Sequence, residues 1–374
     1  MNTKFHIRRA KCLLPSIIIM AVSLLHLSGC AEESPVTPDG RGSIEITAMG
    51  DMSLTDTAKY VPLANTIAFV TSEYGIFEFQ TDEHGVLKLE NLPSSIYNIN
   101  IKMRHPDNSS ILISGNLLDI PITTSEVYTD TLFAVQTAGT GVAINEIYAS
   151  GPSGGGVYIY DQFIELYNYS DETKYLDGMI MCRYSMSSPP NGAGSDEGND
   201  GDIDGLTYAF KFPGNPGEKN HPFEPHTFKV LAILAINHKA RVSSSIDLSK
   251  ADWEFYNQYS VTDFDNKNVP NIVNILPSIN DEFLISQIND CIIIASGEDA
   301  KLADGLDIST IKDGVQYRVD PTKRHTLDSR IDKTTIKSTS PYGGQSMQRR
   351  EPGYDTNNGN LDWMIVGAPT PGWQ

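Results

Sequence analysis

The residues best able to do chemistry cluster in the second half of the chain. The densest set is NDGDIDGLTY, where Asp200, Asp202 and Asp204 occupy alternate positions and Gly205 is sixth, counting from Asp200. Alternating carboxylates converge on a hard cation, and a glycine at that place permits the sharp turn they need; this is the first half of a calcium loop. The second half fails, because the twelfth position is Lys211 where a bidentate glutamate is required, and no helix is suggested on either side. An EF-hand is excluded. The expectation is a looser Ca²⁺ site in an exported loop, with Asp196 or Glu197 assisting, against the alternative of a solvated acidic loop.

Other candidates carry weaker patterns. Gly151-Pro152-Ser153-Gly154-Gly155 spells Gly-x-Ser-x-Gly. A nucleophile elbow needs a strand before it and a helix after it, whereas this one continues through Gly156 into the strand-like VYIYDQF. His221 and His226 flank Glu224 in NHPFEPHTF, whose prolines deny the helix of a His-Glu-x-x-His zinc site. Glu146 and Glu165 lie in strand-like runs and could face each other across neighbouring strands, as a glycosidase pair does. Exposed aromatic faces suit a sugar or a protein. Trp253, Phe255, Tyr256 and Tyr259 in DWEFYNQYSVTDF are therefore the first choice for a recognition surface, the alternative being a segment that buries them over the core.

The elements that must position these residues are strands. SIEITAM, TIAFVTS, GIFEFQT, GVLKLEN and IYNINIKM alternate apolar and polar residues over short runs separated by turn residues, the pattern of half-buried strands in a sandwich. A composition break at AVQTAGTG divides a first domain, 43–138, from a second, 139–374. In the second, a two-residue period puts Ile144 and Glu146 on one face, and sets Ile164 and Leu166 opposite Phe163, Glu165 and Tyr167. Glu165 is expected to point outward or to a rim, with no reason to be perturbed. The fold class is all-β, two sandwiches in series. Cys182 and Cys291 both adjoin apolar strand-like runs, MIMCRY and CIIIAS, and the sequence leaves open whether they are bridged or are two buried thiols.

The beginning of the chain speaks of export. MNTKFHIRRAKC carries four positive charges and no acid, and runs into an apolar segment, 13–27, broken by Pro15 and ending at Leu-Ser-Gly-Cys. That is a signal peptide over 1–29, too short to span a bilayer as a helix. Ser28 and Gly29 before Cys30 have the form of a lipobox, making Cys30 an acylated residue that holds the chain to a membrane. Residues 30–42 form an acidic tether, and Glu32 and Glu33 suit the exterior of a Gram-negative outer membrane. Of 28 basic and 47 acidic residues, four basic ones and no acidic ones lie in 1–29, so the remaining chain has 24 against 47, a net charge of −23. Phosphate recognition needs clustered Lys and Arg, so a nucleic-acid partner is excluded.

Two resemblances follow from particular phrases. TDEHGVLKLENLPSSIYNINI, with Thr81, Asp82, Gly85, Leu92, Pro93 and Tyr97, resembles the carboxypeptidase-regulatory-like family, with Ser95 where glycine is usual. This implies a structural sandwich in which Asp82 is a turn residue. Asn145-Glu146-Ile147, Phe163 to Asn168, Tyr175 to Gly178 and the closing SMQRREPGYDTNNGNLDWMIVGAPTPGW resemble the lamin-tail-like domain, an immunoglobulin-type sandwich, here with insertions near 185–225, 240–280 and 298–338. Both domains behind a lipobox resemble surface lipoproteins grouped as DUF4876, a likeness that implies no activity. The expected role is non-catalytic: binding, adhesion, or service to an outer-membrane transporter, another surface protein or a glycan. The rival is a surface hydrolase acting on glycans or peptides, and a third reading is a structural lipoprotein with a calcium-rigidified loop.

Overall fold

The computed structural model describes residues 41–374 apart from 56, 124, 138–139, 188–189, 196–200, 280 and 300. Cys30, Asp200, Asp196, Glu197 and the junction at 138/139 lie outside the described residues. Among the described residues the regular secondary structure is almost all β-strand.

Alternation builds the first sandwich. In the strand Arg41–Asp51, Ile44, Ile46 and Ala48 point inward between half-buried neighbours. That strand pairs with Val127–Thr137 in parallel, and on its other side antiparallel with Val86–Pro93 and Tyr60–Pro62. The facing sheet runs Gly75–Gln80, Ile67–Ser72, Ser95–His105, Asn108–Ile122 and joins the first through Val127–Thr137. Between them lie Ile44, Val70, Leu87, Ile99, Ile101 and Leu132. Asp82 behaves as a turn residue: its carboxylate accepts from the backbone N–H groups of His84 and Val86, each at 2.8 Å. Gly85 closes that turn at φ +77°, where a Cβ would stand 2.9 Å from the Ala48 carbonyl. Gly75–Gln80 departs from expectation, since it is a sheet edge with all six residues exposed.

The second sandwich is one twelve-strand path folded on itself. Its order is Ile336–Lys337, Ile311–Arg318, Asn289–Ala295, Ile180–Tyr184, Leu206–Lys211, Asn271–Asn274, Trp253–Tyr256, Phe228–Ala232, Phe163–Asn168, Val142–Tyr148, Ser346–Arg349 and Trp363–Val366. Ile144, Ile164, Leu166, Phe210, Phe255, Ile292 and Val315 from both halves meet in its core. The outer faces are covered as well. Ile203, Leu306, Leu327 and Ile331 pack over Cys182, Cys291 and Ile293, while Ala235, Leu248 and Val269 pack over Tyr148 and Phe163. Strands that read as half-buried are therefore buried on both sides.

The sandwiches meet through specific contacts. Leu112 packs with Ala143, Tyr167 and Tyr169. Phe69 meets the Tyr354 ring edge-on at 5.7 Å, Arg104 lies over Tyr169, and Asn116 donates to the Thr356 carbonyl. Among the described residues no helix is long and apolar enough to cross a membrane.

Candidate functional site

Glu146 and Glu165 are directly opposed across neighbouring antiparallel strands. A bulge at Asn145 breaks the register, with Glu165 opposite Glu146 but Leu166 opposite Ile144. An extra residue in one strand reverses the inward-outward alternation beyond it. Ile144 and Ile147 thus both enter the core while Glu146 faces away, so Ile144 and Glu146 do not share a face as the plain period implies.

Neither carboxylate is outward or at a rim; both are fully buried, which corrects the expectation for Glu165. Three covers account for this. The packing around Leu248 shields one end of the Phe163–Asn168 strand and Leu112 of the first sandwich shields the other. Between them lies the closing Pro-Thr-Pro-Gly segment, which supplies the hydrogen-bond donors. Thr370 offers its N–H to Glu146 at 3.1 Å and its hydroxyl at 2.9 Å, with Gln348 Nε2 at 3.3 Å. Gly372 N–H donates to Glu165 at 2.6 Å and Asn145 Nδ2 donates at 3.2 Å. Gln374 ties the same segment down, accepting from Asn145 and donating to the Arg349 carbonyl. Burial, reinforced by Glu146, pushes the Glu165 carboxyl up to about 8; burial also raises Glu146. Elevated carboxyl groups side by side have the electrostatics of an acid–base pair, but here the protein's own chain fills the place of a substrate.

A second buried set was not anticipated as a unit. Arg349 lies fully buried beneath the Trp363 ring, donating to the Ile144 carbonyl at 2.7 Å, the Tyr354 carbonyl at 2.7 Å and Asp313 at 2.8 Å. Asp355 and Asp362 lie 3.5 and 3.6 Å from the same guanidinium. Burial raises Asp313 to about 6 and Asp362 to about 7 against the pull of Arg349, and the three acids keep Arg349 charged despite its burial. Lys102 of the first sandwich reaches this set across the interface. Its ammonium stands 3.8 Å from the Tyr354 ring centroid, has no hydrogen-bond acceptor among the described residues, and is lowered to about 7 by burial, opposed by Asp362 and Asp355. The closing Arg, Asp-Thr and Asp-Trp phrases are the available sequence signal, but Lys102 and Asp313 lie far away in the chain.

The remaining sequence candidates do not converge. Asp202 sits in a two-residue ladder opposite Asp307, and Asp202 and Asp204 line a surface recess with Arg324 and Asp328. Among the described residues no three His, Cys, Asp or Glu side chains group as a metal cage. Trp253 and Phe255 are core residues, with Phe255 stacked on Phe283 at 4.1 Å. This corrects their assignment to a recognition surface: WEFY is a sheet strand that turns Trp253 and Phe255 inward. Tyr256 is half-buried and Tyr259 exposed. Ser153 lies in an exposed turn whose carbonyl accepts from Ser244. His221 packs against Trp253 while His226 bonds Asp171 at 2.8 Å, so the two histidines serve separate contacts. Cys182 and Cys291 are free and buried on adjacent strands, and burial raises both thiols.

With this geometry in hand, residues 224–370 match the family described as "Protein of unknown function (DUF4876)". The fold is similar to that of a DUF4876 family protein from Bacteroides thetaiotaomicron VPI-5482, with 17% identity and a TM-score of 0.50 over 86% of this chain and 94% of that one. A "putative carbohydrate binding protein" from Bacteroides uniformis ATCC 8492 aligns over 52% of this chain and 99% of its own at 11% identity, with a TM-score of 0.20. A search of curated proteins finds no match. The chain thus matches a DUF4876 model over residues 224–370 and has an all-β fold similar to that of a DUF4876 protein.

Proposed function

We propose that this is a lipid-anchored surface protein of a Gram-negative outer membrane, acting by binding rather than by catalysis. In it a regulatory-like sandwich carries a lamin-tail-like sandwich away from the membrane. The observation that supports the non-catalytic part is the sealing of Glu146 and Glu165 beneath Thr370 and Gly372, which occupies both carboxylates with internal donors. The anchor rests on the Leu-Ser-Gly-Cys sequence at Cys30. Two measurements test the reading. Cys30→Ser is expected to move the protein from the membrane fraction to the soluble one. The full chain is expected to turn over neither chromogenic glycosides nor fluorogenic peptides; turnover abolished by Glu146→Gln or Glu165→Gln would replace binding with hydrolysis.

A further inference from the structure

A groove of about 640 Å³ lies between the sandwiches. Its floor is the outer face of the first sandwich, where Ile76 and Ile96 are 44% and 58% exposed. Its opposite wall holds Ile336–Lys337 and Trp363–Val366, the first and last strands of the twelve-strand path. Each is laddered to one neighbour, and among the described residues they do not pair with each other. The sheet is therefore open at this groove. An open edge offers a row of backbone donors and acceptors to any extended chain, and natural edges are normally guarded by charge, proline or brevity. Trp363–Val366 reads WMIV and has neither charge nor proline.

The charge around the groove opposes that of the molecule. Lys337 and Arg350 line it against the lone acid Glu73, whose carboxylate already accepts from Ser95 at 2.9 Å, in a chain of net charge −19. Arg350 uses Nε on the Leu361 carbonyl at 2.7 Å. A locally basic groove on an acidic body selects an anionic ligand. Trp363, the only aromatic ring in the lining, is buried, so the groove offers no exposed ring for stacking on a sugar.

We infer that the groove receives an extended strand of a partner protein, laid along the open edge of Trp363–Val366. Its apolar side chains lie at alternate positions against Ile76, Ile96 and Ile365, and a carboxylate meets Lys337 and Arg350. This rests on the binding reading above and gives it a partner class.

The test is selection of phage-displayed twelve-residue peptides on the detergent-purified full chain, followed by fluorescence anisotropy with the synthetic peptides that emerge. Enrichment of sequences alternating apolar and acidic residues is expected, with binding lost when proline replaces a central residue. Affinity is expected to fall at least tenfold in Ile96→Glu and Lys337→Glu, both exposed positions, with unchanged melting curves; a lysine-for-acid peptide should recover binding to Lys337→Glu. Absence of such a motif, or indifference of the peptides to both substitutions, overturns the inference. So does a dimer that the same substitutions dissociate in light scattering, since a second copy would then fill the groove, or a peptide displaced only by oligosaccharide. A chain that binds no peptide yet turns over no substrate overturns strand docking alone and leaves the non-catalytic reading standing.

Discussion

Replacing Glu165 by glutamine should change stability with a sign that depends on pH. The carboxyl moves from 4.5 to about 8 on folding, and at about 1.4 kcal/mol per pH unit the ceiling on that ionisation penalty is about 5 kcal/mol. Because the folded value lies above the unfolded one, the penalty is absent below 4.5, grows as the unfolded chain ionises first, and is complete above 8. Glutamine removes the penalty but keeps one acceptor oxygen where Glu165 has two, each engaged, by Asn145 and by Gly372. Turning Asn145 to compensate would sacrifice its bond from Gly353 N–H, so one hydrogen bond is lost, worth about 1 kcal/mol. Glu165→Gln is thus expected to be less stable than the parent by about 1 kcal/mol at pH 4.5 and more stable by a few kcal/mol at pH 9. Urea unfolding at pH 4.5, 6, 7.5 and 9, followed by near-ultraviolet circular dichroism, reads the difference directly. A difference constant over that range, or destabilisation growing with pH, would refute the reasoning, because either would mean that the donors around Glu165, Asn145 and the closing segment's Gly372, hold it ionised at no cost.

Lys102→Met should stabilise the chain at pH 6, because burial holds Lys102 down to about 7 and its buried ammonium, without a hydrogen-bond acceptor among the described residues, costs folding energy wherever it is charged. The gain should shrink at pH 9, above the folded value, where Lys102 is no longer charged in the folded chain, and calorimetric melting at the two pH values checks this. Trp253→Ala should cost about 3 to 5 kcal/mol of stability by emptying core space, visible as a lowered melting temperature; an unshifted melt would return Trp253 to the surface. Cys182 and Cys291 should resist iodoacetamide in the native protein and both react once it is unfolded in urea, as mass spectrometry of the alkylated chain would record.

How much of this was legible depended on the range of the interaction that decides it. Period-2 alternation gave the strands of the first sandwich because a strand's own side chains report which face is buried, and Asp82 was legible because its N–H donors lie two and four residues away. The same rule, applied to Trp253-Glu254-Phe255, would have turned the two rings inward and left Glu254 opposite; it was the wealth of aromatics that suggested a surface. Glu165 failed for another reason. Its strand's outer face is covered by Leu112, by the segment through Leu248 and by residues 370–374, none of which is visible in the strand itself. The bulge at Asn145 was equally hidden, since an inserted residue shows only when the partner strand's register is known.

The two buried ionic sets have more to do with register than with net stability. A buried ion pair is often no more stabilising than apolar packing, while a buried charge left unpaired costs several kcal/mol. Ser346–Arg349 carries both sets at once: Gln348 reaches Glu146 on one face, and Arg349 reaches Asp313 on the other. Further along, Thr370 and Gly372 must arrive at Glu146 and Glu165 together. If the closing segment slipped by two residues, Thr370 would stand where Gly372 stands, and Glu146 would face Ala368, with no hydroxyl to replace that of Thr370. A slip by one would bring Pro369 or Pro371, which have no N–H, against the carboxylates. The Pro-Thr-Pro-Gly phrase therefore admits one alignment and penalises its neighbours, and that selectivity fixes where Trp363–Val366 ends the sheet and hence where its open edge lies.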